Sequence, residues 1–191
     1  YRLVARHRQV FSKLTPPRQS HVRTRSVFLR FLGFIYFAAF VSLWTQIHGL
    51  IGSRGIMPIT YLMGEYARGN LHHNGLGAFW MMPTVFWFGH SDVALHIVCG
   101  LGTALAVLVM AGIATMPALA GMWVLYLSLS VVCDVFLGYQ WDALLLEVGF
   151  LAIWLAPVGK LNRSEPPRLV LWMCWWLLFR FMLASGAVKL S

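Results

Sequence analysis

Five apolar runs separated by polar or turn-forming stretches give this chain its outline: Val27–Ile47, Val93–Thr115, about Ala118–Phe136, Asp142–Ala156 and Leu169–Val188. An α-helix rises 1.5 Å per residue, so about 20 apolar residues cross a hydrocarbon core about 30 Å thick. Four of the runs have that length, and Asp142–Ala156 is short. Ahead of the first run, Leu3, His7, Val10, Phe11 and Leu14 recur at helical spacing, with Arg2, Arg6, Arg8 and Lys13 largely elsewhere. That pattern predicts an amphipathic helix lying on a membrane surface. Pro16-Pro17 ends it, and Arg18–Ser26 reads as a polar link.

The stretch Gly49–Ser91 reads as a long loop between the first two spans. It opens with Leu50–Pro58, LIGSRGIMP, in which Gly52 and Gly55 permit positive φ, Arg54 lies between them, and Pro58 restricts the residue before it. Further on, Phe79, Trp80, Phe86, Trp87 and Phe88 flank Pro83 in an apolar stretch too short to span. It predicts a re-entrant or interfacial segment, with aromatic rings at headgroup level. Gly100-Leu101-Gly102 and Gly112 offer flat patches for close helix contact. Met116-Pro117 predicts a very short turn, with Pro117 in the first turn of the following helix. The expected fold is all-α: a polytopic transmembrane bundle of about five spans, an N-terminal amphipathic helix and a short re-entrant or interfacial segment. Residues 1–26 form a basic arm and 27–191 the membrane domain. The chain begins without Met and ends abruptly after an apolar run, so further residues are expected on both sides.

Composition agrees and excludes an ordinary soluble domain: 59% of residues are hydrophobic and 11% charged, against about a quarter charged in soluble domains. Net charge is +9, and eight of the fifteen Lys and Arg fall within the first thirty residues, with no acid before Glu65. Beside a membrane span, such a run marks the cytoplasmic side and touches anionic headgroups; nucleic acid is not an expected partner. The second basic loop, with Lys160, Arg163 and Arg168 against Glu165, falls on the same side if there are five spans. The expected location is therefore integral to a membrane with the N-terminus cytoplasmic, in the endoplasmic reticulum of a eukaryote or the inner membrane of a bacterium. Cys99, Cys133 and Cys174 lie in separate apolar runs without metal-like spacing and read as buried thiols.

Candidate chemistry concentrates in Tyr139–Pro157. Tyr139, Gln140, Trp141 and Asp142 stand at the mouth of an apolar run, and Glu147 lies inside it. An ionisable group within a span is costly and is expected to be paired or functional. Descending from Asp142, Glu147 lies about 7–8 Å deeper; ascending to Lys189, Arg180 lies about 13–14 Å below it. The Arg stem covers the difference, which predicts a Glu147–Arg180 pair with Asp142 near Lys189 at the rim. Gln140 and Glu147 share a helix face that Asp142 does not, which speaks against a catalytic carboxylate pair. His48, His72, His73, His90 and His96 fall at or near one side of the membrane but lack ligand spacing, so hydrogen-bonded histidines are expected rather than a metal or haem site. No nucleotide loop, nucleophile elbow or zinc-protease motif is present, and no catalytic residue or cofactor is predicted.

Four phrases in order, LIGSRGIMP (Leu50–Pro58), MPTVFW (Met82–Trp87), QWDALLLEVGFLAIWLAP (Gln140–Pro157) and FRFMLASGAVKL (Phe179–Leu190), give the chain its resemblance to the lipase maturation factor family. The resemblance implies a multi-span protein that, in animals, assists folding and dimer assembly of secreted lipases in the endoplasmic reticulum. It implies a maturation factor and not a lipase. The family places its client-binding region in a luminal part that follows the last motif. More distantly, Arg180, Ser185-Gly186 and Lys189 are similar to a motif of DoxX-type membrane proteins, and the vitamin K-dependent carboxylase membrane domain is a further comparison. The first functional reading is thus a non-enzymatic membrane maturation factor with a secreted lipase-like client. In it, the loop (Arg54, Gly55, Pro58) and the rim cluster (Tyr139–Asp142) brace a folding platform. Two others stand beside it: an accessory structural subunit of a larger membrane complex, and a quinone-linked membrane enzyme with Glu147, Arg180 and Lys189 lining its pocket.

Overall fold

A computed structural model of the chain describes residues 21–69, 79, 82–157 and 167–190. The expected amphipathic helix over 1–14, His72-His73, Trp80 and the basic loop 158–166 lie outside them. Among the described residues the regular elements are α1 (His21–Leu50), α2 (Ile59–Gly69), a 3-10 turn (Val85–Phe88), α3 (Asp92–Ala111), α4 (Thr115–Val132), α5 (Asp134–Leu137), α6 (Gln140–Leu155) and α7 (Arg168–Leu190).

Burial along α1 follows the helical period: Arg25, Leu29, Leu32, Tyr36, Phe40, Leu43 and Ile47 are buried at intervals of three and four. Phe28, Phe31, Phe34 and Ile35 stand exposed on other faces, which suits a helix flanked by lipid rather than water. The helix begins at His21, so residues 21–26, expected as part of a polar link, are helical. Arg25 explains the difference: it falls on the buried stripe and is only 7% exposed.

Helices α1, α3, α4, α6 and α7 run alternately up and down. Gly33 of α1 meets Val109 and Met110 of α3, while at the other end Ser53 meets Asp92. Tyr126 of α4 meets Asp142 of α6, and Trp123 meets Leu146. The bundle thus has an Arg30 end, where α6 finishes and α7 starts, and a Leu50 end, where α3 and α6 start. Among the described residues, four helices have the length and apolarity to cross a membrane: Val22–Leu50, Asp92–Ala111, Thr115–Val132 and Arg168–Ala187. The fourth expected span, α6, has 16 residues, about 24 Å at 1.5 Å per residue.

Helix ends differ from expectation where backbone geometry decides. Gly112, expected as a flat packing patch, instead caps α3 in the left-handed region (φ +74°), its N–H reaching the carbonyls of Leu108 and Val109. The chain therefore turns at 112–114, and Met116-Pro117 lies inside α4, with Pro117 in its first turn. The third span, expected to reach Phe136, stops at Val132. The Cys133 carbonyl then takes the N–H groups of Phe136 and Leu137, closing α5 as a single separate turn.

Small residues on α3 admit aromatic rings of α1. A Cβ at Gly102 would overlap the Phe40 ring, and one at Gly100 would lie 3.2 Å from Trp44. Behind Gly102, the rings of Tyr36 and Phe40 both meet Tyr126 edge-on, with centroids 5.4 Å and 5.6 Å away. This aromatic knot joins α1 to α4 at mid-bundle.

The loop Leu50–Pro58 folds back on the end of α1. N–H groups of Ile56, Met57 and Ile59 bond to the carbonyls of Gly49, Leu50 and Ile51 at 2.9–3.0 Å. Gly52 and Gly55 do not take positive φ, contrary to expectation. They are needed for close approach: a Cβ on Gly52 would lie 2.7 Å from the His48 carbonyl oxygen, and one on Gly55 2.8 Å from that of Leu50. Gly52→Ala is accordingly expected to cost about 1–3 kcal/mol, read as a lowered midpoint in a detergent thermal melt; an unchanged midpoint would refute the close-approach role.

The re-entrant or interfacial segment docks on α4. Phe86 and Met82 are buried, Thr84 caps the 3-10 turn, and the Val85 N–H donates to Ser128 Oγ at 3.1 Å. Thr84 Oγ1 donates to the Ser128 carbonyl at 3.3 Å, and Trp87 Nε1 to the Met82 carbonyl at 2.9 Å. Ser128 sits one turn inside α4 from Val132, so the segment dips below the bundle's end. Ser128→Ala removes about 1 kcal/mol, and faster hydrogen exchange at the Val85 amide is the expected signature.

Candidate functional site

The start of α6 gathers polar bonds from three helices within six residues. Asp142 accepts from the Tyr126 hydroxyl at 2.6 Å. The Leu145 carbonyl accepts from the Tyr36 hydroxyl of α1 at 2.9 Å, and the Leu146 carbonyl from Trp123 Nε1 of α4 at 2.8 Å. Arg180 of α7 pairs through Nη2 with Glu147 Oε2. Backbone carbonyls have two lone pairs, so Leu145 and Leu146 can take these donors without giving up a helical bond. Gly149 makes the approach possible: a Cβ there would overlap the Tyr36 hydroxyl and lie 3.2 Å from Trp123.

The sequence-derived cluster is thereby split. Glu147 and Arg180 meet, as their depths along antiparallel helices imply. Asp142 does not join Lys189; its bond goes to Tyr126, because the face of α6 that carries Asp142 points to α4 while α7 lies across the face of Gln140, Ala143 and Glu147. Lys189 is exposed. Tyr139 precedes the first turn of α6, and Trp141 leans on Phe181 with ring centroids 6.4 Å apart, both Tyr139 and Trp141 being largely exposed. In the loop, Arg54 is exposed and Pro58 half-buried.

Helix α7 leans on α6 and leaves two clefts, one on each side of the ion pair. Toward the Arg30 end lies a cavity of about 410 Å³ lined by Phe150, Leu151, Trp172, Met173, Trp176 and Leu177 with Glu147 and Arg180. Toward the Leu50 end lies one of about 270 Å³ between Gln140, Ala143, Leu144, Phe181 and Ala184, again with the pair. The ion pair forms the partition. The Arg180 and Glu147 side chains remain 55% and 43% exposed, so the surrounding helices do not cover them.

A second cluster, which the spacing argument missed, sits at the Leu50 end between α1 and α3. His48 and His96 meet through their Nε2 atoms at 2.5 Å, and Trp44 Nε1 donates to His96 Nδ1 at 2.6 Å. Beside them, Asp92 accepts from the Ser53 amide at 2.8 Å and from its hydroxyl at 2.7 Å. The signal was available: Trp44 and His48 stand four apart on one helix, Asp92 and His96 four apart on its antiparallel neighbour. Chemically this is a hydrogen-bond chain in which Trp44 must donate, so His96 Nδ1 accepts. The Ser53–Asp92 bonds tie the Leu50–Pro58 loop to the start of α3. Among the described residues, no three His, Cys, Asp or Glu side chains are grouped to hold a metal ion. His90 is exposed.

Residues 23–191, which include both clusters, match the family model described as the lipase maturation factor transmembrane domain. The chain belongs to the lipase maturation factor family. It is 39% identical over 183 residues to lipase maturation factor 2 of Xenopus tropicalis, covering 87% of this chain and 25% of the relative. It is 36% identical over 176 residues to human lipase maturation factor 1, covering 87% and 31%. With chicken (Gallus gallus) lipase maturation factor 2, identity is 40% over 191 residues, covering 92% and 25%. The chain therefore spans about a quarter to a third of the length of the curated relatives it matches. No solved structure matches it. Family membership and the four long apolar helices make it an integral membrane protein. The relatives' names describe maturation factors rather than enzymes.

Proposed function

We propose that this chain is the membrane-embedded module of a maturation factor that helps secreted lipases fold or assemble. The observation that carries the reading is the family match over 23–191. The architecture supports a scaffold role: three helices converge on residues 142–147 of α6 through hydrogen bonds and an ion pair, and the Ser53–Asp92 bonds hold the loop on the Leu50 end. The Arg-rich N-terminal arm supports an orientation with the Arg30 end in the cytoplasm and the Leu50 end, with its loop and docked segment, on the opposite side. In a eukaryotic cell that side is the lumen of the endoplasmic reticulum, where a secreted client folds. The reading is non-enzymatic.

The test is complementation. Animal cells lacking their own lipase maturation factor are given that factor with its matching membrane domain replaced by this chain, together with a secreted lipase, and lipase activity per mass of lipase in the medium is measured. Recovered specific activity supports the reading; secretion of inactive lipase at the level of empty cells refutes it for this chain.

A second reading, an accessory subunit of a membrane complex, is favoured by α7, whose Trp172, Trp175, Trp176, Phe179, Met182 and Leu183 are all exposed. A fixed set of membrane subunits recovered at equal stoichiometry after gentle extraction would support it.

A further inference from the structure

The exposed ion pair poses a problem in membrane chemistry. Arg180 lies twelve residues into α7 and Glu147 seven residues into α6, about 18 Å and 10 Å along helices that enter from opposite ends. Both are inside apolar segments, and charged side chains at such depth are costly unless polar partners meet them. Yet each presents roughly half of its side chain to the outside, on the flank where α7 leans away. A guanidinium carries five N–H donors, and Glu147 takes a bond from one nitrogen, Nη2. Donors are therefore left facing the cleft, and something in the bilayer must meet them.

Charge and shape decide what. Glu147 and Arg180 are together neutral, so an anionic headgroup drawn beside them would leave a net charge in hydrocarbon. A neutral acceptor satisfies the donors and leaves the balance intact. The larger cleft, about 410 Å³, has the size of a small-molecule site and is lined almost wholly by apolar groups, with Phe150, Trp172 and Trp176 as its aromatic walls. Trp172 stands eight residues from Arg180 on the same helix, so the apolar trough extends about 12 Å beyond the guanidinium. On the other side of the pair the smaller cleft ends at Gln140, an amide that can serve a second polar group.

We propose that the cleft between α6 and α7 binds a neutral long-chain carbonyl lipid, its carbonyl accepting from Arg180 and its tail lying along Trp176 and Trp172. Two sources share this chemistry, a glyceride ester and a prenylated quinone. The inference rests on the cleft alone and is independent of the maturation reading.

The purified chain is reconstituted in phosphatidylcholine nanodiscs containing dioleoylglycerol, ubiquinone-10 or phosphatidylglycerol, then re-extracted and the retained lipid quantified by mass spectrometry. Saturable retention of dioleoylglycerol or of ubiquinone-10 is expected, and the arm that saturates identifies the source. Arg180→Lys keeps the charge and loses the planar fork; it is expected to weaken retention about tenfold, the worth of one charge-assisted hydrogen bond. Trp176→Ala truncates a largely exposed side chain, and it is expected to weaken retention as well, so the two variants test head and tail separately. The proposal is overturned if phosphatidylglycerol is retained in preference, if neither neutral lipid saturates, or if both variants retain lipid like the parent. Crosslinking from position 176 to a polypeptide that excludes both lipids would also overturn it, giving the cleft to a protein partner.

Discussion

Glu147→Leu is expected to lower the thermal midpoint of the detergent-solubilised protein by several degrees and to reduce its folded yield. The substitution removes the countercharge of Arg180 while leaving the guanidinium inside an apolar helix. A charged residue at mid-span costs about 2.5–3.5 kcal/mol on insertion scales, and outward snorkelling of the long stem reduces that to roughly 2 kcal/mol. For a chain of this size about 1 kcal/mol corresponds to about 2–4 °C. The double variant Glu147→Leu/Arg180→Leu is expected to regain most of the loss, since apolar replacement of a whole pair is often neutral. This recovery separates a paired charge from a merely bulky side chain. A midpoint for Glu147→Leu equal to that of the parent would show that the pair contributes nothing.

The second large effect runs against helix propensity. Alanine is favoured over glycine by about 1 kcal/mol in a helix interior, yet Gly149→Ala is expected to destabilise. Its Cβ would overlap the Tyr36 hydroxyl and force apart the contact through which Tyr36 donates to the Leu145 carbonyl. Overpacking of this kind costs about 1–3 kcal/mol, and the displaced hydroxyl adds a lost hydrogen bond. Tyr36→Phe made together with Gly149→Ala removes the obstructing oxygen and is expected to recover part of the loss. Thermal melts of the parent, both single variants and the double variant decide the matter. Stabilisation by Gly149→Ala alone would mean that α1 and α6 do not approach as closely as described.

Depth was legible in the sequence and rotation was not. Counting 1.5 Å per residue along antiparallel spans brought Glu147 level with the reach of Arg180, and the two meet. The same count set Asp142 beside Lys189, but rotation about the α6 axis turns Asp142 toward Tyr126, a partner no spacing rule names. The apolar runs located the five helices of the bundle, and the third overran α4 because Val135 and Phe136 continue the apolar pattern after the backbone has turned at Cys133. Glycine was ambiguous in a similar way. Gly112 looked like a packing surface and is a left-handed cap; Gly52 and Gly55 looked like left-handed turns and are sites of close approach. A missing side chain permits both uses, and only the neighbours choose. The His48–His96 contact was hidden because it joins two i, i+4 pairs on neighbouring helices, and spacing along the chain does not say which helices lie side by side.

Unequal helix length has a consequence for the surrounding lipid. The 30 residues of α1 extend about 45 Å, whereas the 16 of α6 extend about 24 Å. Polar bonds from Tyr36, Trp123, Tyr126 and Arg180 pin α6 in register, so it cannot slide to share the difference. The apolar run Val27–Ile47 of α1 covers about 31 Å, an ordinary core thickness, so the hydrophobic mismatch falls at α6, where the bilayer must thin locally. Each ångström of mismatch costs a fraction of a kcal/mol, and the endoplasmic reticulum bilayer, at about 27 Å, asks for less compression than a plasma membrane of about 32–33 Å. The short helix therefore draws lipid deformation to the flank that carries the cleft.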